Sequence, residues 1–219
     1  MASKLLRVGK ENAAKFQGRT IDILVGNEKK AYSVHESLVP ASSPFLEKAL
    51  SGKRKESVLR TVHLPNDEPE MIAIYVHWLY CGTLPVSCDD SAMDTEYTNL
   101  VKAYILGDRL LDFKFQNAAI DAIIEKVRTP ERDNTRWYPG LDVIIYAYAN
   151  TTESALIREL FVDLYFYGGK SAWLDKWTAA PQPFLLSLAC KLLDRNGETK
   201  MPTETHKYHK KDDALSPKK

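Results

Sequence analysis

A chain of 219 residues with 44% hydrophobic and 10% aromatic content has material for one sizeable core, or one core with a helical annex, and not for two large independent domains. Thirty Lys and Arg face 29 Asp and Glu, and the resulting net charge of +1 gives no field that would hold polyanions or steer acidic ligands. The amino terminus has no secretory apolar core, the stretches Met71 to Tyr80 and Leu141 to Ala149 fall short of the roughly 20 residues a membrane helix needs, and Cys81, Cys88 and Cys190 are too scattered for a secreted disulfide framework. A soluble chain of the cytoplasm or nucleus, with reduced thiols, is expected.

Residues 1–18 carry mixed charge and end at Gly18, which predicts a flexible arm or weak helix. Ile21 to Val25 is a β-type apolar run closed by Gly26-Asn27, and Ala31 to Val34 follows the charged Glu28, Lys29 and Lys30, so the pair predicts a β-hairpin turning over Gly26 to Lys29. His35 to Val39 forms a short turn before Pro40. Ser43-Pro44 then opens a helix, with Ser43 as cap and Pro44 in the first turn, and Phe45, Leu46, Ala49 and Leu50 spaced toward a core.

Val58 to Leu64 alternates as a third strand after the polar loop Lys53 to Ser57. Asn66 or Asp67 is the expected cap of an amphipathic helix carrying Met71, Ile72, Ile74, Tyr75, Trp78 and Leu79, stopped at Gly82. Helices over Tyr97 to Leu106 and Phe113 to Val127 follow, and the proline-bearing loop Arg128 to Pro139 marks a boundary. Beyond it come a helix pair, Leu141 to Ala149 and Ala155 to Tyr167, and a last helix, Phe184 to Asp194. From Asn196 the chain has too little apolar surface to offset the entropy of ordering, and a disordered tail is expected.

Three short strands cannot cover both faces of a sheet, so the apolar helices must sheathe it, which gives an α+β domain with a helical cluster. The run "IDILVGNEKKAYSVHESLVPASSPFL", Ile21 to Leu46, resembles the opening of a BTB/POZ domain: Asp22 in the first strand, a hairpin, His35 starting a turn, then Ser43-Pro44-Phe45. "VHLPNDEPEMIAIYVHWLYCGTL" is similar to the third helix of that family and its approach, and "YTNLVKAYILGDRLLDFKFQNAAIDAI" to its last two helices. Tyr146 to Tyr165 resembles the region that follows the core in fungal members. The resemblance implies a BTB/POZ domain over 19–128, an N-terminal arm over 1–18, a helical extension over 129–195 and a tail over 196–219.

What the resemblance further implies is protein binding: homo- or hetero-oligomerisation, and in many members recruitment of a cullin ubiquitin-ligase scaffold as a substrate adaptor. Cullin-recruiting members carry a hydrophobic residue two positions before a glutamate, between the second helix and the third strand. Here Glu56 fits, and Arg54 stands at the apolar position, where a guanidinium is costly to desolvate. Arg54, Glu56, Ser57 and Tyr97 are the residues assigned to partner binding. Strongly dimeric members have an added N-terminal helix and strand that residues 1–18 match poorly, so a monomer or weak homodimer is expected.

Against this stand three other chemistries. Asp22 and His35, with several serines nearby, suggest a hydrolase, but no nucleophile elbow or oxyanion-hole loop accompanies them. His77, Cys81 and Cys88 suggest zinc without the paired spacing a zinc site uses, so no metal is expected. No phosphate-binding glycine motif occurs, and no cofactor is expected. The basic triplet Lys53 to Lys55 and the tail lysines offer a weak polyanion patch, and nucleic acid is not an expected partner. A nuclear, transcription-associated regulator acting through protein contacts is the alternative function. The aromatic residues from Trp137 to Trp177 are read as mostly core, with a few left exposed as an interface patch.

Overall fold

The computed structural model describes residues 9–10, 16–51, 59–88, 94–130, 134–174, 177–194 and 205–211. The chain divides into two compact units, one made of residues 1–83 with 109–112 and the other of 84–108 with 113–219.

The first unit is built on a hairpin. β1 (Thr20–Val25) pairs antiparallel with β2 (Lys30–His35), with Ile21 opposite Val34 and Ile23 opposite Tyr32. Ile21, Ile23 and Val25 are buried and alternate with exposed Thr20 and Asp22, so one face of the strand meets a core. The turn falls over Gly26 to Lys29 as the sequence predicts, with Gly26 at φ 69° and Lys29 at φ 54° in the left-handed region. β3 (Thr61–Leu64) lies parallel to β1, Asp22 opposite Thr61 and Val25 opposite Leu64, which makes a mixed sheet of order β2-β1-β3. The predicted strand from Val58 is shorter in the structure because Arg60 sits at φ 51°, outside extended geometry; Val58 itself lies outside the described residues.

A single 3-10 turn, Glu36–Leu38, leads to α1 (Pro44–Leu50). Ser43 caps α1 by accepting the Leu46 amide at 3.1 Å and donates its own hydroxyl to the Leu110 carbonyl at 2.6 Å. α2 (Pro69–Cys81) ends at Gly82, whose left-handed φ of 64° lets its amide return to the Trp78 carbonyl at 2.8 Å. Its N-cap is Glu68, not the expected Asn66 or Asp67. Pro69 sets the first turn there, and the Asp67 carboxylate is taken by the Arg109 guanidinium instead.

The second unit is helical. α3 (Asp94–Leu110) runs past the expected stop at Leu106, and the chain then breaks at Leu111, φ 57°, before α4 (Phe113–Arg128). α5 (Leu141–Asn150) and α6 (Leu156–Gly168) form a pair, followed by the one-turn α7 (Ser171–Leu174) and by α8 (Gln182–Leu193), which packs on α6. Arg158 closes the turn between α5 and α6, bonding Thr151 Oγ1 at 2.9 Å and the Tyr148 carbonyl at 2.7 Å, with its guanidinium 4.5 Å from the Tyr148 ring centre.

Two expectations about organisation change. The loop from Arg128 to Pro139 lies inside the second unit rather than between the two. The expected tail from 196 holds an ordered 3-10 turn, Thr205–Tyr208, in which Tyr208 is fully buried. A single aromatic anchor that finds a polar partner offsets the ordering cost of a short segment, a contact that composition averaged over the tail cannot reveal. Among the described residues, no helix is long and apolar enough to cross a membrane.

Candidate interaction surfaces

Of the residues assigned to partner binding, Arg54, Glu56 and Ser57 lie outside the described residues. Tyr97 is interior rather than surface. Its ring is fully buried and its hydroxyl donates to the Trp137 carbonyl at 2.7 Å. Desolvation, reinforced by the Glu96 charge, pushes the phenol well above its ordinary value. Tyr97, Leu100, Val101 and Tyr104 follow the i, i+3, i+4, i+7 spacing of one buried helix face, and that periodicity marks Tyr97 as core.

Asp22 and His35 do not form a couple. Asp22 accepts the Ser33 hydroxyl at 2.6 Å, across the ladder from it, while His35 Nδ1 meets the Tyr80 hydroxyl at 2.7 Å and the His35 amide donates to the same oxygen at 3.0 Å. Phe16 stacks on Tyr80 at 5.8 Å between ring centres, which makes His35 part of a small aromatic cluster. His77 Nε2 is engaged by Thr83 Oγ1 at 3.0 Å, and among the described residues no three His, Cys, Asp or Glu side chains converge as a metal site would require.

Among the described residues, α8 leaves an apolar face open to solvent. Phe184 and Leu188 bury one side of this helix. On the next side, Leu185, Ala189 and Leu192 recur at i, i+4 and i+7, flanked by Leu186 and Leu193. Leu186 is 56% exposed and Leu193 87%, with Leu185 and Leu192 also open. Isolated exposed leucines are ordinary, but four on one stripe of one helix are an interaction surface in the making.

Close to α8 in the same unit, Tyr165 is ringed by Tyr138, Trp173, Trp177 and Phe184, with ring centres 5.0–6.2 Å away. A cleft of about 1220 Å³ opens beside them, lined by Trp137, Tyr138, Trp173 and Trp177 together with Arg136, Lys170 and Asp94. The expectation that these aromatics are mostly core is not met: Phe166 is buried, Trp137 is exposed, and Tyr138, Tyr146, Tyr148, Tyr167, Trp173 and Trp177 are half-buried. Asp94 accepts the Gly140 amide at 2.9 Å, so closely that a Cβ on Gly140 would fall inside contact distance of the carboxylate.

Sequence reasoning missed one charged node. Asp163 lies in the apolar run of α6 and is 1% exposed. Lys191 of α8 donates to its Oδ1, and Lys207 Nζ at 2.8 Å and the Tyr208 hydroxyl at 2.6 Å reach Oδ2. Burial alone would raise the carboxyl, but these three hydrogen bonds outweigh it and hold Asp163 below its ordinary value. The readable signal was an aspartate inside LFVDLYFY, because an ionisable group there needs a partner from elsewhere in the chain.

A small mixed sheet with helices packed on it is an α+β fold. Residues 12–106 match the family model of the BTB/POZ domain. This segment is a BTB/POZ domain, and the three-stranded sheet with its helical cluster is the fold of that family. BTB/POZ domains are protein-interaction modules and, as a class, not enzymes. No curated protein matches the chain.

Proposed function

We propose that the protein is an adaptor that joins two polypeptides, one through its BTB/POZ segment and one through the leucine stripe on α8. The observation that carries this reading is the stripe itself, an uncharged face of Leu185, Leu186, Ala189, Leu192 and Leu193 on a helix anchored by Phe184 and Leu188. An apolar helix face of this kind is what a partner's helix or groove covers. Region 129–195 is, on this reading, the helical extension of a BTB protein of the fungal type, acting in the cytoplasm or nucleus.

A cullin scaffold is the candidate partner on the BTB side, supported by Glu56 and opposed by Arg54 at the neighbouring apolar position. A panel of purified cullins is the test. Binding by the wild type that Glu56→Lys removes, while Leu186→Asp with Leu193→Asp leaves it intact, supports the two-surface adaptor; no binding by the wild type ends the cullin assignment. The weak homodimer is tested by light scattering, where a tight dimer that survives deletion of residues 1–18 contradicts the assignment of any self-association to that arm.

A further inference from the structure

The segment Thr-His-Lys-Tyr-His-Lys-Lys, residues 205–211, lies across α4 and α6 in the manner of a bound peptide. Its main chain is read by Asn117: the Lys210 amide donates to Asn117 Oδ1 at 2.9 Å, and Asn117 Nδ2 donates to the Lys210 carbonyl at 3.2 Å. Its basic side chains meet carboxylates. Lys207 Nζ meets Glu159 at 3.0 Å as well as Asp163, His209 Nε2 meets Asp121 at 2.7 Å, and Lys210 Nζ meets Asp108 at 2.8 Å. Its one fully buried side chain, Tyr208, enters a socket floored by Asp163. An amide clamp on the backbone, acids for flanking charges and a socket for one aromatic are the components of a peptide-recognition groove.

Two features make this seat a groove with a releasable occupant rather than an inseparable part of the core. The occupant has a single buried anchor, and its remaining side chains are half-exposed or exposed, where ion pairs contribute little and salt screens them. The floor also survives departure: Lys191, from α8, still donates to Asp163 when Lys207 and Tyr208 leave, so no unpaired buried charge results. The seat is made by regular helices, α4 and α6 with the end of α3.

We propose that this face is a binding groove for a tyrosine-centred basic peptide on a partner protein, and that residues 205–211 fill it in cis as an internal competitor. None of the stripe residues makes these contacts, so the two readings fail independently. Partner binding requires displacement of the segment, and the apparent affinity of the groove is set by the fraction of molecules in which it is open.

The test uses the full chain and a fluorescein-labelled peptide of sequence THKYHKK, followed by anisotropy. The Tyr208→Ala chain is expected to bind the peptide roughly tenfold more tightly than the wild type, because its own segment no longer holds the socket. The same peptide with alanine for its tyrosine is expected to lose binding, as is the Tyr208→Ala, Asp163→Asn double variant. Equal binding by wild type and Tyr208→Ala, or none by a Tyr208→Ala chain whose circular dichroism is native, overturns the proposal. Should Tyr208→Ala fail to fold, Lys207→Ala with Lys210→Ala weakens the occupant through exposed side chains alone and is held to the same two outcomes.

Discussion

Among the described residues, each unit buries one carboxylate to 1% exposure, Asp112 in the first and Asp163 in the second, and the donors seen on them differ. Asp112 accepts the Tyr75 hydroxyl at 3.1 Å beside Ser43, whose own hydroxyl is spent on a backbone carbonyl and a helix cap. The Tyr75 phenol is a neutral donor carried on a regular helix. Asp163 takes two ammonium groups and a phenol, and two of these three donors come from one short segment near the end of the chain. A bond from a neutral phenol is indifferent to salt, whereas a knot of cations responds to salt and proton activity, and can lose a strand while keeping the rest.

The largest effect that probes this contrast comes from Asp163→Asn, which removes the charge while keeping an acceptor, and is expected to cost about 2 kcal/mol in urea unfolding at neutral pH. The pH dependence has a definite sign. The folded carboxyl titrates below 3.8, so its contribution is complete above that value and is lost as pH falls through the lower folded one. Lys207, where burial opposes but the bonds to Asp163 and Glu159 prevail, titrates above 10.5 when folded, and its contribution fades as pH rises through that higher value. The variant should therefore flatten the acid limb of the stability curve, and an unchanged limb would break the comparison.

A smaller effect is expected of Tyr75→Phe, about 1 kcal/mol for one buried hydrogen bond, and insensitive to sodium chloride because the donor removed is a neutral phenol. Denaturant midpoints at low and high salt check this, and a salt-dependent loss would erase the distinction between the units. The smallest effect has the opposite sign. Leu111 holds φ 57° while 44% exposed, so Leu111→Gly relieves a left-handed strain at little cost in burial and should stabilise by up to about 1 kcal/mol, read as a higher melting temperature.

Legibility in the sequence followed the range of the forces. The hairpin, the Ser43 cap and the Gly82 stop rest on neighbours a few residues apart, and periodicity with turn chemistry is enough to place them. The ordered motifs from Ile21 onward likewise made the family visible. The cap of α2 was misplaced because Asp67 is committed to Arg109, a partner far along the chain that no local rule anticipates. Tyr97, assigned to partner binding by resemblance, lies on an apolar helix face whose period places it in the core. The seat of Tyr208 was hidden for the same reason as the Asp67 pair: Asp163 and Tyr208 are 45 positions apart, and a lone tyrosine among charges carries no pattern.

The sheet order carries a dynamic consequence. β1 is flanked on both sides, by β2 along its whole length and by β3 from Asp22 to Val25, and even the Asp22 and Gly26 amides find the Arg60 and Leu64 carbonyls at 2.9 and 3.0 Å. Deuterium uptake through brief local openings should then reach the outward-facing amides of β2 early, and those of β1 only when the whole unit comes apart.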